Sequence, residues 1–293
     1  MKCADFQYHR PESLAQALRL LNETNDACLL AGGQSLVPLM NFRLASPKNL
    51  IDLNHINELN HIKIVGQNLH IGAMTRQRSL EYSNLIQEHL PVLKTALLQV
   101  GHRQTRNRGT IGGSLCHLDP SAELVAICAL TDAIMNTCSL QGRRQITSSN
   151  WALGLMTNAL HQGEILEYIS IPINEPSHGH AYVEYARRHG DFAIVAVGTR
   201  LWLGLDQKIS KASIVLSGIS QSPIRLKIAE IALQGVKPNE STWQQAAQLA
   251  QQIPAMQDEQ ITSEYRQHLA RILTYRSLES AYQMALSSPR AQA

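Results

Sequence analysis

The stretch AGGQSLVPLMNFRLASPKNLIDL, residues 31–53, decides how this chain is read. It follows the apolar run Cys28-Leu29-Leu30, which reads as a short buried strand. It opens on Ala31-Gly32-Gly33-Gln34-Ser35-Leu36 and closes on a second strand, Leu50-Ile51-Asp52-Leu53. A second glycine pair with a hydroxyl at its end stands at Thr110-Ile111-Gly112-Gly113-Ser114. Glycine has no Cβ, so it accepts φ > 0 and lets backbone N–H groups approach a ligand oxygen, while Ser35 and Ser114 each offer a hydroxyl donor. Together the two segments read as a clamp for phosphate that needs no lysine. Either one alone also reads as a plain connection into a helix. Neither matches the GxGxxG dinucleotide fingerprint or the GxxxxGK(S/T) loop.

Working outward, Leu14, Ala17, Leu18 and Leu21 recur at helical spacing behind Pro11 and predict an amphipathic first helix. Residues 62–64 and 69–71 alternate around Gly66-Gln67-Asn68 and predict a β-hairpin. A helix is expected from Thr75, and another from Pro91 with Val92, Leu93, Ala96, Leu97 and Val100 on its apolar side. Asp119-Pro120 reads as N-cap and first residue of a helix through Glu123, Leu124, Ile127 and Cys128, so the second glycine pair is expected in a loop between helices. Strands are expected at 133–136, 145–147 and 167–171, then a linker at Pro172, Pro176, Ser177, His178 and Gly179. Three more strands (182–187, 194–203, 212–216) and three helices (225–234, 242–252, 262–285) complete the chain, with no internal repeat.

A length of 293 residues suits two modest domains, and 44% hydrophobic against 17% charged residues supports a real core. The net charge of +3 gives no support to a nucleic-acid partner. Arg103, Arg106 and Arg108 form a local basic cluster, read as a solvated loop, a subunit contact or a phosphate contact. The N-terminus lacks an apolar leader and no run is long enough for a transmembrane segment, so a cytoplasmic location is expected. Five cysteines, an odd number without a CxxC pair, indicate neither a disulfide framework nor a metal cluster. Cys116 reads as a small buried filler rather than a reactive thiol, and His178-Gly179-His180 as a solvated pair rather than a metal site.

Residues 31–53, RNRGTIGGSLCHLDPSAEL at 106–124 and RRHGDFA at 187–193, in this order, closely resemble the FAD-binding medium subunits of the xanthine dehydrogenase/carbon monoxide dehydrogenase family of molybdenum hydroxylases. The resemblance runs over nearly the whole chain. It implies an α+β fold: a two-lobed FAD-binding domain of the vanillyl-alcohol oxidase (PCMH) type at 1–176, with lobes of about 1–57 and 58–176, then a C-terminal α+β domain at 177–293 with a three-stranded antiparallel sheet and helices. FAD is then expected in the cleft between the lobes and the C-terminal domain, its pyrophosphate on 31–35 and 110–114 and its isoalloxazine opening near Phe192.

The resemblance also carries roles residue by residue. Ala31, Gly32, Gly33, Gln34, Ser35 and Leu36, with Thr110, Ile111, Gly112, Gly113 and Ser114, match the phosphate segments, Thr110 matching a hydroxyl that bonds FAD. Relatives carry Asn or Thr in place of Ser114, and Ala or Asn in place of Cys116. Val100 matches an apolar position lining the cofactor, and Leu166 a backbone contact to the isoalloxazine edge. Glu123 matches an acid that contacts the flavin or its phosphoribityl chain, with Asp119 as a neighbouring competitor and helix-dipole compensation as the plainer role. Phe192 matches a position, Tyr or Ile in some relatives, that covers one face of the ring, against the plainer reading of a core aromatic. Arg187 and Arg188 are candidates for phosphate or a partner surface.

The function implied is electron transfer. A large molybdopterin-binding subunit oxidises the substrate and a small subunit with two 2Fe-2S clusters relays electrons to this FAD, which hands them to NAD, a quinone or oxygen. The assembly expected is a doubled heterotrimer. Two alternatives stand beside it: a self-sufficient flavin-dependent oxidase, and a scaffold subunit without FAD. Intact glycine pairs weigh against the second.

Overall fold

The structure, a computed structural model, describes residues 2–173 and 178–287. The first lobe holds β1 (Gln7–His9), α1 (Leu14–Glu23), β2 (Ala27–Leu30), α2 (Leu36–Asn41) and β3 (Asn49–Asp52). Its three strands form a parallel sheet in the order β1-β3-β2. Leu14, Ala17 and Leu18 are the buried stripe of α1, and they pack with Ile51, Leu53 and Ile56. Because β2 and β3 are parallel, their carboxyl ends lie side by side, and Ala31 and Asp52 emerge at one edge.

The second lobe runs through β4 (Ile62–Val65), β5 (Asn68–Gly72), α3 (Gln77–Glu81), α4 (Asn84–His89), α5 (Pro91–Leu97), α6 (Arg103–Arg108), α7 (Ile111–His117), α8 (Glu123–Leu130), β6 (Ile134–Ser139), β7 (Gly142–Thr147), the small hairpin β8 (Ala152–Gly154) and β9 (Thr157–Asn158), and β10 (Ile165–Pro172). Its sheet is antiparallel in the order β4-β5-β10-β6-β7. The C-terminal region adds β11 (Gly179–Tyr185), β12 (Val195–Leu203), β13 (Ile209–Ser217), β14 (Ile224–Arg225), α9 (Lys227–Leu233), α10 (Glu240–Gln251) and α11 (Ser263–Ser287).

β12 is buried on both faces. Val195, Val197 and Leu201 face the core shared with α11, while Ala196 packs with Tyr182 and Val215 into the core of the second lobe, against α5 and α8. A strand covered on both sides reads as a near-continuous apolar run, and 195–203 does so except at Gly198, Thr199 and Arg200, the last two buried.

The structure corrects three expectations and adds one strand. The second glycine pair is no loop: Gly112 and Gly113 form the first turn of α7, which Thr110 caps by accepting the Gly113 N–H at 3.0 Å. Asp119 does not cap α8. Its carboxylate accepts the N–H of Ser121 at 2.8 Å, a local turn, and the helix starts at Glu123 behind Ala122. The C-terminal sheet has a fourth, two-residue strand, β14, beyond the three expected. β1 carries no sequence signal of its own, being three residues that pair with β3. Of the expected linker, Pro176 and Ser177 lie outside the described residues, as does the boundary placed between them.

Candidate functional site

The edge where β2 and β3 end opens on a cavity of about 410 Å³ lined by Ala31, Gly32, Gly33, Gln34, Asp52 and Arg108 among others. Gly33 has φ +72°, a left-handed conformation that suits glycine, and it turns the chain into α2. The N–H groups of Gly33, Gln34, Ser35 and Leu36 have no hydrogen-bond acceptor among the described residues, and the Ser35 hydroxyl caps nothing in α2. Four open donors with an unspent hydroxyl form an anion cradle at a helix start. Gly32 lies so close to the Arg108 carbonyl and to Gly109 that a Cβ there would overlap backbone, so this glycine lets the two segments touch.

A polar network behind the cradle fixes it. Asn54 donates to the Ala31 carbonyl at 2.9 Å and to Asp52, whose other oxygen accepts the Tyr8 hydroxyl at 2.5 Å. Arg76 donates to Asn54 and to the Arg108 carbonyl. Burial, with Arg108 adding, pulls the Arg76 guanidinium below its ordinary pKa, and Asp52 opposes the shift. None of Tyr8, Asn54 or Arg76 was singled out from sequence, because apart from the Asn54–Asp52 bond their partners lie 22 to 44 residues away. The Asp52-Leu53-Asn54 run directly after β3 is the signal that marks the network's centre.

The second segment behaves differently. The N–H groups of Ile111 and Gly112 are taken by the carbonyls of Thr75 at 3.2 Å and Ala73 at 2.8 Å, and those of Gly113 and Ser114 by the hydroxyl and carbonyl of Thr110. From Ile111 to Ser114 its backbone therefore offers no open donor. A Cβ on Gly112 would collide with Ala73, and one on Gly113 would stand 2.8 Å from the Thr110 hydroxyl and 3.4 Å from Ala31. These glycines bring α7 against the cradle. The basic cluster divides: Arg108 lines the cavity, Arg106 is buried in an ion pair with Glu81 at 3.0 Å, and Arg103 is exposed.

A second cavity, about 380 Å³, lies where the second lobe meets the C-terminal sheet and is lined by Asp119, Arg187, Phe192, Met256 and Arg266 among others. Phe192 is 58% exposed, so it is no core aromatic. Its loop is set by Gly190, at φ +87° and with no room for a Cβ beside the His102 ring, and by the Ser121 hydroxyl donating to the Ala193 carbonyl at 2.8 Å. Arg266 holds the floor through the Ile194 and Gly218 carbonyls, each at 2.6 Å. Arg187 is exposed and forms no hydrogen bond or ion pair among the described residues, whereas Arg188 pairs with Asp191 at 3.1 Å.

Val100 is half-buried, its carbonyl accepting from Arg106 at 2.9 Å, and Leu166 is buried on β10 beside a bulge. Glu123 lines neither cavity. It is 4% exposed, and burial, with Glu184 and Asp119 adding, pushes its carboxyl up to about 8. The Cys116 thiol is pushed up to about 12 by burial, which makes it inert at neutral pH. Among the described residues no three His, Cys, Asp or Glu side chains gather as a metal site, and no helix is long and apolar enough to cross a membrane.

The donor set fits FAD: open N–H groups with Arg108 beside them suit a pyrophosphate, and an exposed aromatic beside a cavity suits a planar ring. Comparison with known proteins agrees. The family model described as "FAD binding domain in molybdopterin dehydrogenase" matches residues 4–174, and that described as "CO dehydrogenase flavoprotein C-terminal domain" matches 180–281. Caffeine dehydrogenase subunit beta of Pseudomonas sp. (strain CBB1) is 36% identical over 286 residues, 96% of each chain. The carbon monoxide dehydrogenase medium chain of Afipia carboxidovorans is 34% identical over 94% of this chain and 96% of its own. A chain of quinoline 2-oxidoreductase from Pseudomonas putida 86 superposes with a TM-score of 0.94 at 34% identity, covering 98% of this chain and 100% of that one. On fold, site and relatives together, the chain belongs to the FAD-binding subunits of the molybdopterin dehydrogenases, the oxidoreductase family of the carbon monoxide and xanthine dehydrogenases.

Proposed function

We propose that the chain carries electrons between two partner subunits' chemistry and an external acceptor. A small subunit with 2Fe-2S clusters delivers them, a large molybdopterin-binding subunit oxidises the substrate, and NAD, a quinone or oxygen takes them away. The assembly is a doubled heterotrimer in the cytoplasm, and the chain divides into 1–176 and 177–293. Bound FAD supplies a centre that takes electrons singly and gives them up in pairs.

The observation that carries this reading is the row of N–H groups from Gly33 to Leu36 beside Arg108, for which no described residue supplies an acceptor. In this reading Ala31 to Leu36 hold the pyrophosphate, and Gln34, whose amide donates to the Gly32 carbonyl at 3.3 Å, stiffens the turn. Thr110, Ile111, Gly112, Gly113 and Ser114 close the site by contact and through the Ser114 hydroxyl. Val100 and Leu166 give apolar and backbone contact. Asp119, Arg187 and Phe192 surround the ring, Phe192 covering one face and excluding water. Glu123 stands behind the site as a buried acid that the charge of Asp119 reaches. No side chain has to serve as a general base.

The test is the visible spectrum of the purified native protein with its co-purifying chains identified. Flavin bands with iron–sulfur absorption and two further subunits are the expected outcome. Substrate turnover by this chain alone would favour a self-sufficient oxidase, and a colourless chain that rejects added FAD would make it a scaffold.

A further inference from the structure

The segment that carries Phe192 is fixed through its backbone. The Phe192 side chain is exposed, while Ala193 and Ile194 directly after it are buried. The turn before it is local: the Asp191 N–H donates to the Arg188 carbonyl at 3.1 Å, and the Arg188 side chain pairs with Asp191. The peptide that joins Ala193 to Ile194 is pinned at both ends. Its N–H donates to the Tyr185 carbonyl at the end of β11 at 2.7 Å, and its carbonyl accepts the Ser121 hydroxyl at 2.8 Å. Ser121 stands in the turn before α8, in the second lobe. Among the described residues its hydroxyl makes the one hydrogen bond from that lobe to residues 186–194.

That bond belongs to a closed circuit. The Gly218 N–H donates to the Pro120 carbonyl at 2.9 Å, and the Gly218 carbonyl accepts from Arg266 Nη1 at 2.6 Å. The same nitrogen donates to the Ile194 carbonyl at 2.6 Å, and Ala193 leads back to Ser121, the neighbour of Pro120. Gly218, at φ +73°, closes the circuit because a Cβ there would stand 2.6 Å from the Ile194 carbonyl oxygen. Asp258 holds Arg266 Nη2 at 2.7 Å, and the Asp119 carboxylate shapes the turn by accepting the Ser121 N–H. Ser121, Ala193, Ile194 and Arg266 are all buried, so a carbonyl that loses its donor here finds no ready replacement.

We infer that Ser121 is a positioning residue for the flavin: through the Ala193 carbonyl it sets where Phe192 stands over the second cavity, and Arg266 and Gly218 complete the circuit that holds this setting. The inference rests on the function proposed above, in which Phe192 covers one face of the isoalloxazine. Ser121 lines the same cavity, but its proton is given to Ala193, so it acts through the backbone. Phe192 is one residue from the pinned carbonyl, and an exposed side chain takes its direction from the backbone that bears it. One net hydrogen bond weights the set position over displaced ones by about fivefold.

The experiment compares Ser121→Ala, Ser121→Thr, Phe192→Ala and the double variant Ser121→Ala/Phe192→Ala with the native protein, each as the purified complex. Flavin content, the flavin absorption spectrum and the rate of flavin reduction by dithionite are read on the same samples. Ser121→Ala is expected to keep its flavin and to change the reduction rate in the same direction as Phe192→Ala, by up to about fivefold. Ser121→Thr, which keeps the hydroxyl, should stay near native, and the double variant should match Phe192→Ala alone. A native spectrum and rate in Ser121→Ala would overturn the inference, as would effects that multiply in the double variant, since Ser121 would then act by another route. Loss of flavin or of the folded complex in Ser121→Ala would also overturn it, because the hydroxyl would then serve the fold. A native spectrum and rate in Phe192→Ala would instead remove Phe192 from the flavin, and a colourless native complex would refute the electron-transfer reading itself.

Discussion

Gly33 stands where the conformation and the contacts agree on one residue type. At φ +72° an L side chain costs about 1 kcal/mol, and a Cβ would stand 3.1 Å from Val37 Cγ2. Gly33→Ala is therefore expected to tilt the open N–H row and weaken FAD at least about tenfold, the equivalent of about 1.4 kcal/mol, with little loss of fold. The flavin-to-protein ratio after desalting checks it, and full occupancy would remove the cradle from the cofactor site. Phe192→Ala is expected to keep FAD while changing its absorption spectrum or its reduction rate, since the side chain covers a surface and donates no hydrogen bond. At this scale the sequence was informative about Gly33 and Ser35, whose chemistry is local. It was silent on Arg76 and Tyr8, which matter only because β1, β3 and the α3 start converge.

Among the elements, α7 shows how a glycine pair can be recognised for the wrong reason. The sequence pattern of the second pair is that of a donor loop, but the Ala73 carbonyl takes the Gly112 N–H and the Thr110 hydroxyl takes that of Gly113, and the pair serves close packing. Thr110 caps this helix and is 2% exposed. Thr110→Ala is expected to cost about 1 kcal/mol of stability and Thr110→Ser much less, read as a shift of the unfolding midpoint. If both variants unfold with the native protein, the cap has no weight in the fold. Most helices and strands were legible because their apolar spacing is regular. The start of α8 was misplaced because Asp119 bonds two residues on, a turn that imitates a cap, and β14 is too short to carry a period.

The whole molecule depends on how the C-terminal sheet seats on α8, and Arg225 is the side chain that ties them. It donates to the Ala129 carbonyl and to Asp132, each at 2.8 Å, while its Nε holds Glu230 at 2.8 Å. Arg225 and Glu230 side chains are 13% and 8% exposed, so the pair is screened little. Burial alone would raise the Glu230 carboxyl. The Arg225 hydrogen bond, the Ile214 N–H and the charges of Arg225 and Lys227 overcome it and hold the group below the usual carboxylate range. A depressed carboxylate contributes stability above its unfolded pKa of about 4.3 and loses it as pH falls through the folded value. Arg225→Met leaves Glu230 buried without its main partner and is expected to cost about 3 kcal/mol at neutral pH. Adding Glu230→Gln should restore part of that loss. Because protonation neutralises Glu230, the penalty of Arg225→Met should shrink on acidification below about pH 4, measured by urea unfolding of the native and variant proteins side by side. A penalty that stays constant with pH would place the stabilisation in the Ala129 and Asp132 bonds instead, and the seat of the sheet would then rest on hydrogen bonds to α8 rather than on the buried charge.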